Sequence, residues 1–219
     1  MSAGRPATAG ALGIMGGTFD PIHLAHLAAA QAALEELELS GVHFVPVGIP
    51  PHKPDQVISP PADRVAMVEL AIADNPAFRL SRVEVDRPGP SYAVETVQLL
   101  LADPPGGNVP DNGFVFILSA EALGGLPTWR EPQRLLAMCR LAVVPRLGSR
   151  APGRPWLAEH FPGQEERVIV LEGPSLGHSA TQIRALAAAG RSIRYLVPPA
   201  VEAYIRDHQL YQPDLWRKN

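Results

Sequence analysis

Cysteine is almost missing: Cys139 is the one thiol in 219 residues. A single thiol excludes an internal disulfide framework and a cysteine-based zinc site. It sits in the apolar run 135–139, so a packing role is expected rather than a nucleophile's. Long apolar runs are missing too. No stretch approaches the roughly 18 residues that would mark a membrane span. Charge of one sign is not in excess. The formal net charge of −3 gives no electrostatic case for nucleic acid or an anionic membrane as partner. Residues 1–10 hold one Arg and no apolar core of a secretory signal. They read as a frayed leader, and the protein as cytoplasmic. Internal repeats and low-complexity segments are also lacking.

What the chain has is alternation. Short apolar runs read as strands over 12–15, 42–47, 78–85, 114–118, 141–144 and 167–171. Helical patterns fall between and after them, over 27–37, 62–73, from Ser91 onward, and over 131–138, 179–189 and 199–207. Ser91 reads as the N-cap of the third helix, and Gly190 as the stop of the helix over 179–189. Residues 103–113 and 148–162 read as long loops, and the 24 Pro lie mainly in such segments. The unbroken run 114–118 reads as a central strand. The alternating run 78–85 reads as lying nearer an edge. The fold class expected is α/β: a doubly wound, mainly parallel Rossmann-like sheet with helices on both faces and a small C-terminal helical extension. Residues 11–211 read as a single domain, helical from about 174 onward, with 212–219 as a tail. Right-handed crossovers then place a ligand cleft at the carboxyl ends of the strands.

Two segments carry chemistry that suits phosphate. The first is Gly16-Gly17-Thr18-Phe19-Asp20-Pro21-Ile22-His23-Leu24-Ala25-His26, between the first strand and the first helix. Such a turn is an anion site, because backbone N–H groups converge there. Gly16 and Gly17 let the backbone turn tightly and a ligand approach. Thr18 adds a hydroxyl. His23 and His26 are three apart, so both face one side of a first helical turn and can donate to phosphate oxygens. The second segment is Gly177-His178-Ser179-Ala180-Thr181-Gln182-Ile183-Arg184. Ser179 and Thr181 open a helix, and Arg184 adds a planar, permanently charged fork one turn in.

The first segment resembles the signature of the HxGH nucleotidylyltransferases, Gly-Gly-Thr-Phe-Asp-Pro-x-His-x-x-His. Within them the chain is most similar to the bacterial nicotinate-nucleotide adenylyltransferase family. The second segment is similar to that family's Ile-Ser-Ser-Thr-x-Ile-Arg motif. Four further stretches carry the likeness: 44–53 with Pro-Pro-His-Lys, 90–96 with Ser-Tyr, 117–123 followed by Trp129, and the ending 195–205. The likeness runs from about residue 12 to about residue 211. Phosphopantetheine adenylyltransferases share the first motif type but are not expected to share this ending. The chain departs from the family pattern at Ala25, Ala93, Ser119, Glu121, His178 and Ala180.

The resemblance implies an enzyme that joins ATP and nicotinate mononucleotide to give deamido-NAD and pyrophosphate, in NAD biosynthesis. It implies catalytic roles for His23, His26 and Arg184. It implies ATP contacts from Gly16, Gly17, Thr18, Phe19, His23, His26, Ser179, Thr181 and Arg184. It implies contacts to the second substrate from Asp20, His52, Lys53, Ser91, Tyr92, Ala93, Glu121, Trp129 and Arg146, with Trp129 stacked on the pyridine ring. No dedicated metal cage is expected, so Mg2+ would arrive with ATP. His178 is expected to supply a donor in place of the hydroxyl lost at Ala180. Alternatives are a related nucleotidylyltransferase acting on phosphopantetheine or nicotinamide mononucleotide, and a nucleotide-binding homologue without turnover. Neither nucleic acid nor membrane is expected as partner, and assembly into a homo-oligomer stays open.

Overall fold

The computed structural model describes residues 7–51, 57–145, 147–148 and 151–212. Its strands are β1 (Leu12–Gly17), β2 (Gly41–Pro46), β3 (Phe78–Leu80), β4 (Phe114–Ser119), β5 (Cys139–Val144) and β6 (Val168–Val170). Its α-helices are α1 (Leu24–Glu36), α2 (Pro61–Ile72), α3 (Ala93–Ala102), α4 (Ala120–Gly125), α5 (Pro132–Met138), α6 (Arg154–His160), α7 (Ala180–Ala188) and α8 (Pro199–Asp207). The sheet order is β3-β2-β1-β4-β5-β6, and every pairing is parallel. The chain therefore winds outward from β1 to β3, returns, and winds outward again from β4. The reversal between β1 and β4 is the switch point, where a crevice opens at the strand ends.

Alternating residues of the central strands feed two cores. Met15, Val115, Ile117 and Ala142 pack with residues of α1, α2, α7 and α8. Ile14, Phe116, Leu118, Leu141 and Val143 pack with residues of α3, α5 and α6. Helices thus cover both faces. Cys139 is buried, its Sγ lies 3.4 Å from the Leu135 carbonyl, and burial pushes its thiol up to about 12. That suits packing and not nucleophilic attack. Among the described residues no helix is long and apolar enough to cross a membrane.

Several local expectations need correction. β3 ends at Leu80, and residues 81–85 leave the sheet. A turn follows, with the Asp86 N–H on the Arg82 carbonyl at 3.0 Å and an Arg82–Asp86 ion pair at 2.8 Å. Ser91 does not cap α3. Tyr92 occupies that position, and Ser91 Oγ accepts the Gly48 N–H at 3.1 Å instead. α1 begins at Leu24, earlier than the pattern over 27–37, with His23 as its N-cap. α4 and α6 were not expected as helices. α6 lies among Pro152, Gly153, Pro155 and Pro162, which read as loop, and α4 is a six-residue helix that ends on two glycines. α4 is started by Ser119, whose Oγ accepts the Ala122 N–H at 3.2 Å. α6 starts on a Pro in its first turn and buries Leu157. Residues 8–10 do not fray. Thr8 is buried and donates to the Leu37 carbonyl at 3.0 Å, and the Gly10 N–H reaches the Glu38 carbonyl at 2.7 Å.

Candidate active site

The turn after β1 is shaped by its own side chains. A Cβ on Gly17 would stand 2.9 Å from the Phe19 ring, so the ring can fold back only over glycine. Phe19 is buried and takes φ +50°, a left-handed conformation uncommon for residues with a Cβ. α1 then starts at the helix end nearest the switch point. The His23 N–H donates to His26 Nδ1 at 3.2 Å. Accepting at Nδ1 means that the neutral His26 ring carries its proton on Nε2. The two imidazoles stack with centroids 3.7 Å apart, and the Phe19 ring meets His26 edge-on at 5.1 Å. Their fixed orientation comes from this packing.

The start of α7 reaches the same place from the other end of the chain. Ser179 is its N-cap, with Oγ accepting the Gln182 N–H at 3.2 Å. Arg184 Nη1 donates to the Asp20 carbonyl at 2.6 Å, and Nη2 lies 3.4 Å from Thr181 Oγ1. The guanidinium is thereby clamped across a separation of 164 residues. Asp20 is held in turn. Its Oδ1 accepts the Tyr211 hydroxyl at 2.8 Å and its Oδ2 accepts the Ser59 N–H at 3.2 Å. Burial, with the adjacent Asp20 charge, pushes the Tyr211 phenol far above its ordinary range, so it stays a donor. Asp20 therefore works as a strut between the turn after β1 and the start of α7.

The opposite wall comes from α3 and its approaches. α3 begins after Tyr92 without a side-chain cap, so among the described residues no capping side chain takes up the N–H groups of its first turn. Trp129 stands edge-on to Phe116 at 6.2 Å, and the Arg130 guanidinium lies 4.7 Å over the Tyr92 ring. Glu84 is buried beneath, accepting the Thr96 hydroxyl on Oε1. Burial raises its carboxyl above the ordinary 4.5. A Cβ on Gly48 would come within 2.5 Å of the Glu84 carbonyl oxygen, so this approach needs glycine.

One cavity of about 590 Å³ joins these walls. Gly16, Gly17, Thr18, Phe19, Asp20, His23 and His26 line it with Ser179, Thr181 and Arg184, and with Ser91, Tyr92, Ala93 and Trp129. Ala25, Ser119, His178 and Ala180, four of the departures from the family pattern, line it too. Glu121 does not. It is exposed on the first turn of α4 and stands outside the lining. His52, Lys53 and Arg146 lie outside the described residues.

Three functional candidates escaped the sequence reading: Arg64, Glu84 and Tyr211. Arg64 left one trace, since it is a charge in register with Met67, Val68 and Ala71 on the buried stripe of α2. Among the described residues no three His, Cys, Asp or Glu side chains converge as a metal site.

Known proteins resemble this chain in sequence and in fold. The family described as cytidylyltransferase-like matches residues 14–186. A protein of Roseiflexus sp. strain RS-1, named "Probable nicotinate-nucleotide adenylyltransferase", is 48% identical over 92% of this chain and 98% of its own length. One of the same name from Symbiobacterium thermophilum is 46% identical over 90% of this chain and 93% of its own. The nicotinic acid mononucleotide adenylyltransferase of Plasmodium falciparum, solved in complex with NaAD, shares the fold. It superposes with a TM-score of 0.70 at 18% identity, covering 91% of this chain and 96% of that one. A complex of that protein with APC gives a TM-score of 0.69 at 17% identity over the same shares. By sequence over most of its length, the chain thus belongs to the nicotinate-nucleotide adenylyltransferase family.

Proposed function

We propose that this chain transfers the adenylyl group of ATP to nicotinate mononucleotide, giving deamido-NAD and pyrophosphate, a step of NAD biosynthesis. The observation that carries the reading is the shared cavity, where His23, His26, Thr181 and Arg184 face the same space as Tyr92, Ala93 and Trp129. One side suits a polyphosphate and the other a flat ring.

A phosphate oxygen of the mononucleotide attacks the α-phosphorus of ATP. The bond from that phosphorus to the oxygen bridging to the β-phosphorus breaks, and pyrophosphate leaves. The attacking oxygen is already anionic, so neither a protein nucleophile nor a general base is needed. The protein supplies position and charge stabilisation. His23 and His26 hold phosphate oxygens, His26 facing the charge that develops. Arg184, Thr181 and the N-terminus of α7 hold the departing pyrophosphate. Trp129 stacks on the pyridine. The uncapped start of α3 favours a carboxylate on that ring over an amide.

A divalent cation such as Mg2+ would be carried by the ATP phosphates and would offset their charge. Among the described residues, the carboxylates that line the cavity, Asp20 and Glu84, suit no metal cage: Asp20 is committed to Tyr211 and Ser59, and Glu84 is buried against Thr96. Pyrophosphate release with ATP and each of nicotinate mononucleotide, nicotinamide mononucleotide and phosphopantetheine tests the assignment. Release with nicotinate mononucleotide alone is expected. Release with phosphopantetheine instead would reassign the acceptor, and release with none would leave a binding protein.

A further inference from the structure

Arg64 sits in the first turn of α2, yet it is only 1% exposed and does not line the cavity. Among the described residues it forms no ion pair. Asp20 and Glu84 act on it only through space. Its guanidinium donates to four backbone carbonyls instead. Nε reaches Ser59 at 3.0 Å, Nη1 reaches Thr18 at 2.9 Å and Val47 at 2.7 Å, and Nη2 reaches Gly48 at 3.3 Å. These acceptors belong to three segments: the turn after β1, the exit of β2 and the approach to α2.

In a trans peptide the carbonyl and the following N–H point in opposite directions. The Val47–Gly48 peptide shows the consequence: its carbonyl is on Arg64, and its N–H donates to Ser91 Oγ at 3.1 Å. The Thr18–Phe19 peptide is turned the same way, with its carbonyl on Arg64. Its N–H finds no acceptor among the described residues, and Thr18 and Phe19 both line the cavity. Phe19 holds this orientation at φ +50°. A buried fork behind the loop thus presents an unspent donor in front of it.

We propose that Arg64 is a positioning residue: it fixes the Thr18–Phe19 peptide so that the Phe19 N–H donates to a phosphate oxygen of ATP in the transition state. Lys could not replace it, because a single ammonium cannot span carbonyls from three segments. The inference rests on adenylyl transfer as the reaction.

The test compares Arg64→Lys with the wild-type enzyme, using kcat per folded molecule, KM for ATP, and melting temperature. Losing one preorganised donor should lower kcat on the order of a hundredfold. KM for ATP should stay within about threefold, because the donor acts mainly on developing charge. An unchanged kcat per folded molecule, with only a lowered melting temperature, would reduce Arg64 to a scaffold residue and overturn the proposal. If the variant does not fold, the wild-type protein labelled with 15N-Phe decides. The Phe19 amide resonance should move when an α,β-methylene analogue of ATP saturates the site, and an unmoved resonance overturns the proposal. A wild-type enzyme that releases no pyrophosphate would fail the parent reading. An active enzyme with an unmoved Phe19 amide would fail this inference alone.

Discussion

Replacing Tyr211 by Phe removes one oxygen and tests whether Asp20 is a strut. The Tyr211 hydroxyl donates to Asp20 Oδ1 at 2.8 Å, and Tyr211 and Asp20 are 1% and 3% exposed. Without it, Asp20 keeps the Ser59 N–H at 3.2 Å but loses its partner on the other oxygen, away from water. A hydrogen bond to a buried charged group is worth about 1.5–3 kcal/mol. In a chain of this size about 2 kcal/mol lowers the melting temperature by roughly 4–8 °C. Tyr204→Phe is the internal control. Its hydroxyl also donates at 2.8 Å, to Asp63 Oδ1, but both residues are half-exposed. Water replaces that bond, so the loss should stay below about 1 kcal/mol. Thermal unfolding of the three proteins in one buffer gives the comparison. Because the Asp20 carbonyl also holds Arg184 at 2.6 Å, Tyr211→Phe should raise KM for ATP, and Tyr204→Phe should not. Equal destabilisation by the two changes would refute the reasoning from burial.

His26→Ala should lower kcat by about 100-fold or more while the melting temperature changes little, because the ring works in the cavity and is only half-buried; near-normal turnover counts against its role. His178 lines the cavity and its Nδ1 is buried without a partner among the described residues, so any donation into the cavity falls to Nε2. His178→Ala should raise KM for ATP about fivefold, the worth of one neutral hydrogen bond near 1 kcal/mol, and an unchanged KM removes that contact. Glu84→Gln tests linkage. Burial raises the folded-state carboxyl above 4.5, so the folded protein binds this proton more tightly than the unfolded chain. Wild-type stability then falls as pH rises from about 4.5 toward the raised value, whereas Gln does not titrate. The urea midpoint of the Gln variant should gain on the wild type between pH 4 and pH 7, and a constant gap contradicts the shift.

Most of the architecture was legible because its signals are local. The apolar runs of β1 and β4 and the Ala-rich α1 announce themselves within a few residues, and strand–helix alternation carries the parallel sheet with them. The turn after β1 that lines the cavity was legible for the same reason, since Gly16, Gly17, His23 and His26 are close in sequence. What could not be read depends on distant partners. Ser91 looked like a cap, but its hydroxyl serves Gly48, 43 positions away. Asp20 looked like a substrate contact, yet Tyr211, 191 positions on, claims one carboxylate oxygen. Arg64 carried no motif, because its acceptors are backbone carbonyls that no side-chain pattern encodes. α6 was hidden by the Pro and Gly around it, which read as loop, and α4 by its six residues ending on Gly124 and Gly125. Glu121 kept the charge expected at its position, but the turn of α4 carries it outside the cavity.

The central claim is a single in-line displacement at the α-phosphorus, driven by position and charge with no covalent enzyme intermediate. Its most direct test is the configuration of the phosphorothioate formed from nicotinate mononucleotide and one diastereomer of ATP carrying sulfur on the α-phosphorus. Inversion at phosphorus is the predicted result. Retention would require two displacements, and so a nucleophile on the protein, and would contradict the account.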